Sequence, residues 1–221
     1  VLEAPTLSEW VVTAILLGWV LFVAIPLTRW TYHEMRARGL EHRVAVYFNR
    51  KLIHVLAGGV VALLVPLLYR SYLPIAIMVA LLAVGNYLPH RTGRLLYWYQ
   101  VPENAYEVNF ILMWGAVMFL GFAVNDVWLA VVPVMFMAVG DGVTGVVRNL
   151  IYRRRTKAIE GNIAMAAFCV PFGLAVLGPP GALAGLVSSL VERFEFGPID
   201  DNVLVPASAL AVILALRALG A

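Results

Sequence analysis

The chain has little charge and almost no cysteine. Of its 221 residues 13% are charged, 62% are hydrophobic and one is cysteine. A single cysteine forbids an intrachain disulfide, and Cys169, between Phe168 and Val170 in an apolar run, is read as packing. So few charges exclude a water-soluble domain of this length, which would have to cover itself in apolar surface. His33, His42, His54 and His90 form no zinc-ligand spacing. There is no P-loop, nucleophile elbow or HExxH, so the familiar soluble NTPase and hydrolase chemistries lack their parts. A net charge of +3 and a pI near 9.2 would suit nucleic acid. The basic residues, however, fall at the ends of apolar segments, where positive charge sets topology, and no nucleic-acid partner is expected.

What is there is apolar length, with a mean hydropathy of +0.86. Apolar segments can be drawn at 8–29, 52–69, 72–89, 108–124, 127–147, 162–177, 181–191 and 203–219, against the roughly 20 residues that a tilted membrane helix needs. The expectation is an all-α, polytopic membrane protein of about eight transmembrane helices, residues 1–221 forming a single domain. The seventh segment follows Gly178-Pro179-Pro180-Gly181 and is short enough to be re-entrant. Leu7–Thr28 has no basic segment before it and is long enough to span, so it is read as a retained helix. Placing the 30–51 connection with its border residue Arg29, and the 90–107, 148–161 and 192–202 connections, inside puts every Lys and Arg there except Arg70 and Arg217. The positive-inside rule then predicts N-out and C-out, with these loops cytoplasmic.

Four features could carry chemistry. In Gly140-Asp141-Gly142-Val143-Thr144-Gly145 a carboxylate lies inside a span, where it needs a partner or a metal. Its G-x-G-x-x-G spacing is no dinucleotide fingerprint without a βαβ unit. The glycines Gly140, Gly142 and Gly145 would let backbone approach a phosphate and Asp141 would hold a divalent cation; a helix-packing glycine patch is the alternative. The run Arg153, Arg154, Arg155, Thr156, Lys157, Ala158, Ile159, Glu160, Gly161 offers forks and a point charge to phosphate oxygens, or anchors the chain beside anionic headgroups. The stretch Glu192-Arg193-Phe194-Glu195-Phe196-Gly197-Pro198-Ile199 ends in Asp200-Asp201-Asn202, which reads as an oxygen-rich Mg²⁺ site or as a helix N-cap. Arg50-Lys51-Leu52-Ile53-His54 opens the second span, with His54 either catalytic or a neutral imidazole bonded to a neighbouring helix.

In this order, the R-K-x-x-H start at Arg50, Lys51 and His54, an acidic turn near Glu103, Gly140-Asp141, then Lys157, Glu160 and Gly161, and Asp200-Asp201-Asn202 before Pro206 resemble the CTP-dependent polyprenol kinases. That family includes dolichol and phytol kinases and is akin to the CTP:phosphatidate cytidylyltransferases. The chain departs from it in lacking a Gly-spaced stretch between Asp141 and Lys157 and in carrying Ala158 where Thr or Ser is common.

The resemblance implies transfer of the γ-phosphate of CTP to a long-chain isoprenoid alcohol of dolichol, polyprenol or phytol type, with Mg²⁺ as cofactor. Asp141, Glu160, Asp200, Asp201 and Asn202 would hold the metal. Gly140, Gly142, Gly145, Arg50, Lys51, Arg153, Arg154, Arg155, Lys157 and Gly161 would meet the nucleotide, and Asp141, Lys157, Glu160 and His54 would be catalytic. The membrane would be the plasma membrane of a prokaryote or the endoplasmic reticulum of a eukaryote. The rival readings are a cytidylyltransferase making a CDP-activated lipid and a non-enzymatic transporter or scaffold.

Overall fold

A computed structural model describes residues 3–152, 156–197 and 199–220. It is all-helical, and no strand occurs among the described residues. The helices are α1 (Leu7–Ala37), α2 (His42–Leu68), α3 (Leu73–Thr92), α4 (Tyr106–Ala123), α5 (Val127–Tyr152), α6 (Ile159–Leu177), α7 (Pro179–Val191) and α8 (Asp201–Ala218). Seven are long and apolar enough to cross a membrane; α7 is shorter. It nevertheless runs back along α6 as one uninterrupted helix rather than a broken one.

The ends of the helices depart from the apolar segments. Most of the 30–51 connection is helical, because α1 continues to Ala37 and α2 starts at His42. Hydropathy marks where a helix meets lipid, whereas backbone hydrogen bonding propagates past that boundary as long as side chains permit. The extensions bury Thr28, Tyr32, Ala45 and Val46, and Tyr32, Ala45 and Val46 form a small second core with Trp98 and Tyr99. Asn49 binds this layer together, donating from Nδ2 to the Thr28 carbonyl at 2.6 Å and the Trp98 carbonyl at 2.8 Å.

α5 is the central helix. From Leu129 to Ala138 every residue is buried, so its apolar surface runs all the way round and its carboxylate at Asp141 faces protein rather than lipid. α2 crosses it where both helices carry π-type turns, His54–Gly59 and Phe136–Gly140. Such turns insert a residue into the helical ladder and re-aim the side chains beside them. Gly59 permits the close approach: a Cβ there would stand 3.1 Å from Val139 Cγ2. The crossing brings Lys51 and His54 of α2 onto Asp141.

At one end of the bundle lie the 38–41 turn, the 93–105 connection, residues 156–158 before α6 and residues 192–197 after α7; this is the motif end. The opposite end is tied by Glu9. Its Oε2 accepts from Thr6 N at 2.7 Å in a capping box, and its Oε1 accepts from Arg70 N at 2.7 Å and Ser71 N at 2.8 Å. Arg217 pairs there with Asp126 at 2.7 Å.

Candidate active site

The centre is built from helices that alternate in direction, so that α2, α5, α6 and α8 each contribute residues at the motif end. Asp141 forms an ion pair with Lys51, both buried. His54 Nδ1 lies 3.6 Å from Asp141 Oδ2, beyond hydrogen-bonding range, and has no hydrogen-bond partner. Its ring is fixed by stacking on Phe110, with centroids 4.0 Å apart. Beside it, Tyr47 places its ring 5.2 Å from Lys51 Nζ.

Two turns along α5 from Asp141, Arg148 shares its face. Arg148 grips Glu192 with both terminal nitrogens, at 2.8 and 2.9 Å, and donates to the Ala158 carbonyl at 2.9 Å and Asn162 Oδ1 at 3.0 Å. Such a fork on a buried carboxylate fixes both partners in one geometry. Lys157 Nζ reaches Glu192 Oε1 and Asp201 Oδ2, each at 3.1 Å, and Glu195 Oε1 at 3.3 Å. Burial opposes its charge, but Asp201 and Glu192 prevail and hold its ammonium above the usual lysine range.

Asp141, Glu192 and Asp201 each bring one carboxylate oxygen within 4.8 Å of the others. An oxygen-only donor set of that spacing suits a hard cation such as Mg²⁺ or Mn²⁺. Asn202 adds a buried Oδ1 with no hydrogen-bond partner. Above this floor opens a polar cleft of about 470 Å³, lined among others by Tyr47, Lys51, Arg148, Lys157, Glu192, Asp201 and Asn202. On its other side an apolar cavity of about 280 Å³ runs between α1, α2, α3 and α4, down to Val61, Met78 and Trp114. Arg50, His54 and Glu107 line both.

Several residues expected at the centre stand elsewhere. Glu160 accepts a hydrogen bond from the Tyr152 hydroxyl at 2.9 Å and is not in the carboxylate trio, where Glu192 stands instead. One residue along a helix is a rotation of about 100°, and Glu160 is on the wrong side of Gly161. Asp200 also lies outside the trio, accepting from Asn109 Nδ2 at 3.2 Å and Asn202 Nδ2 at 2.5 Å. Burial, and then the neighbouring Asp201, push its carboxyl up to about 7. It occupies the N-cap position of α8 but makes no side-chain capping bond, so capping does not account for the acidic run.

On the side where a Cβ would stand, the glycines face side chains. A Cβ at Gly140 would meet Cys169 and Met165, at Gly142 Val55, at Gly145 the Tyr47 hydroxyl and Lys51, and at Gly161 Arg148. Gly145 and Gly161 thus leave room for two of the cations. Arg50 turns sideways, donating to the Tyr99 carbonyl at 2.7 Å, Asn104 Oδ1 at 3.0 Å and Glu107 Oε2 at 3.1 Å. Glu107 Oε1 also meets His90 Nε2 at 2.5 Å and Gln100 Nε2 at 2.9 Å. Arg153, Arg154 and Arg155 lie outside the described residues. Arg148, Glu192 and Glu107 were missing from the sequence-derived site, although the stripe Asp141, Thr144, Gly145, Arg148 on one helical face pointed to the first.

Compared with family models, curated proteins and solved structures, the chain has no match.

Proposed function

We propose that this chain is a membrane phosphotransferase that moves the terminal phosphate of a nucleoside triphosphate to the hydroxyl of a lipid alcohol. The resemblance of its motifs makes the donor CTP and the acceptor a long-chain isoprenoid alcohol. The observation that carries the reading is the meeting of the two cavities. A charged cleft fit for a triphosphate and an apolar slot fit for a prenyl chain share Arg50, His54 and Glu107, one turn from the Lys51–Asp141 pair.

Phosphoryl transfer depends on positioning and charge compensation, and the cleft offers both. Lys51 and Lys157 line the cleft as cationic donors for phosphate oxygens, while Arg148 stays committed to Glu192. Asp141, Glu192 and Asp201 would hold a divalent ion, which, when bound, neutralises charge on the phosphate oxygens. His54, held by stacking on Phe110 and lining both cavities, stands where an alcohol in the apolar cavity would present its hydroxyl, and would orient it and accept its proton. With the motif end on the cytoplasmic side, as the Lys and Arg distribution favours, the nucleotide enters from the cytoplasm and the chain is N-out and C-out.

The test uses purified protein in detergent with Mg²⁺, mixed prenyl alcohols and lipid phosphates, and CTP labelled at the γ or the α position. Label passing from the γ position into lipid is the expected result. Label from the α position would make the same cleft a cytidylyltransferase, and no transfer by folded protein would reject both.

A further inference from the structure

Lys157 stands where a metal ion would be expected. Its ammonium is equidistant, at 3.1 Å, from Glu192 Oε1 and Asp201 Oδ2, two of the three carboxylates in the cation-sized cluster. The third, Asp141, is covered by Lys51. With Arg148 clamped on Glu192, the three carboxylates of the cluster already face three cations, Lys51, Arg148 and Lys157, and Glu195 adds a fourth carboxylate against Lys157 at 3.3 Å. A bare dication entering it would have to displace Lys157 or add its charge beside three cations in a region of low dielectric, which is unfavourable. A dication arriving on a polyphosphate brings its own negative charge and gives the displaced ammonium a new partner.

Lys157 is built to make that exchange. Arg148 has 3% of its side chain exposed and its nitrogens are committed to Glu192, Asn162 and the Ala158 carbonyl. Lys157 has 28% exposed, lies before α6 in non-helical chain, and carries a flexible four-carbon stem. An independent sign of a cation site is Asn202 Oδ1, a buried acceptor without a partner in the same cleft. Building on the phosphotransferase reading, we infer that Lys157 is a placeholder cation, so that the carboxylate cluster admits a divalent metal as its polyphosphate complex and disfavours the free ion. The substrate is then the metal–nucleotide complex, and Lys157 moves from the carboxylates to the phosphates as it binds.

The experiment titrates Mn²⁺ into the purified full chain in detergent, without nucleotide or alcohol, and follows bound ion by electron paramagnetic resonance. Lys157→Met is expected to bind nucleotide-free Mn²⁺ on the order of tenfold more tightly than the unaltered chain. Lys157→Arg, which keeps the charge, is expected to match the unaltered chain, and adding Asp201→Asn to Lys157→Met should remove the gain. Should Lys157→Met fail to fold, Lys157→Gln, which removes the charge but keeps a hydrogen-bond donor, should give a gain of the same sign. Unchanged Mn²⁺ affinity in the folded charge-removing variants of Lys157 overturns the placeholder role, and label transfer from CTP by the unaltered chain would show that the phosphotransferase reading survives it. A gain without any label transfer would do the reverse.

Discussion

Neither Lys51 nor Asp141 is tolerable alone as a charge at its depth, since breaking a buried pair leaves the partner uncompensated. Asp141→Asn and Lys51→Met are each expected to cost about 3–5 kcal/mol in denaturant unfolding in detergent, while the double variant recovers most of the loss. Simple additivity of the two losses would mean that the pair is not coupled. Asp200 behaves in the opposite sense. Its ordinary value is 3.8 and burial raises it to about 7, so between those values the folded chain binds a proton that the unfolded chain has released. Stability should therefore fall as pH climbs from about 4 to about 7, the full cost of roughly 2–4 kcal/mol being present above 7. Asp200→Asn removes that cost, and its amide can donate to Asn202 Oδ1 once the Asn202 amide turns over. Its melting temperature relative to the unaltered chain should rise with pH across that window and level off above it. A constant difference would show that Asp200 titrates normally.

Helix contacts separate glycines that shape the site from glycines that hold the bundle. At Gly145 a Cβ would press on the Tyr47 hydroxyl at 2.6 Å and Lys51 Cε at 2.9 Å, the ends of side chains that can move. Gly145→Ala is expected to change stability by under about 1 kcal/mol yet displace Lys51 and lower label transfer at least tenfold. At Gly185 the Cβ would meet the Cys169 backbone at 2.6 Å, and backbone cannot swing aside. Gly185→Ala should part α6 from α7 and cost about 1–3 kcal/mol, read as a lower unfolding midpoint. The same distinction explains what the sequence disclosed. The helices were legible because the bilayer fixes apolar length, but their ends were not, since Trp30–Ala37 and His42–Asn49 stay helical through burial of Tyr32, Ala45 and Val46. Lys51, His54, Asp141, Lys157 and Asp201 announced themselves as charges next to apolar runs, and the fold brings them together. Glu160 looked equivalent to its neighbours because a string of letters does not show a rotation of about 100° per residue, and Asp200 because it does not show the extended backbone that parts it from Asp201 at the start of α8. Glu192 became a member only through Arg148, 44 positions earlier, a pairing that only packing reveals.

Across the whole molecule the labour is divided. α1, α2, α3 and α4 enclose the apolar cavity, whereas α5, α8 and the residue after α7 supply the acidic floor, and α2 serves both through the single turn from Arg50 to His54. Such a division predicts that acceptor and donor can be perturbed separately. Gly85 on α3 lines the apolar cavity, and a Cβ built there has nothing within 4 Å, so a larger side chain enters empty space rather than packed core. Gly85→Leu should therefore fold normally, since it neither overpacks nor strains the helix, and a helix-favouring residue replaces glycine. It takes up volume that a prenyl chain would otherwise fill, and each methylene displaced from an apolar pocket is worth about 1–3 kcal/mol. The expected outcome is a KM for a long-chain alcohol raised on the order of tenfold or more, with the KM for CTP unchanged. Equal effects on both constants would mean that the cavities are coupled through the Arg50–Glu107 wall, and no effect on either would place the alcohol outside the α1–α4 cavity.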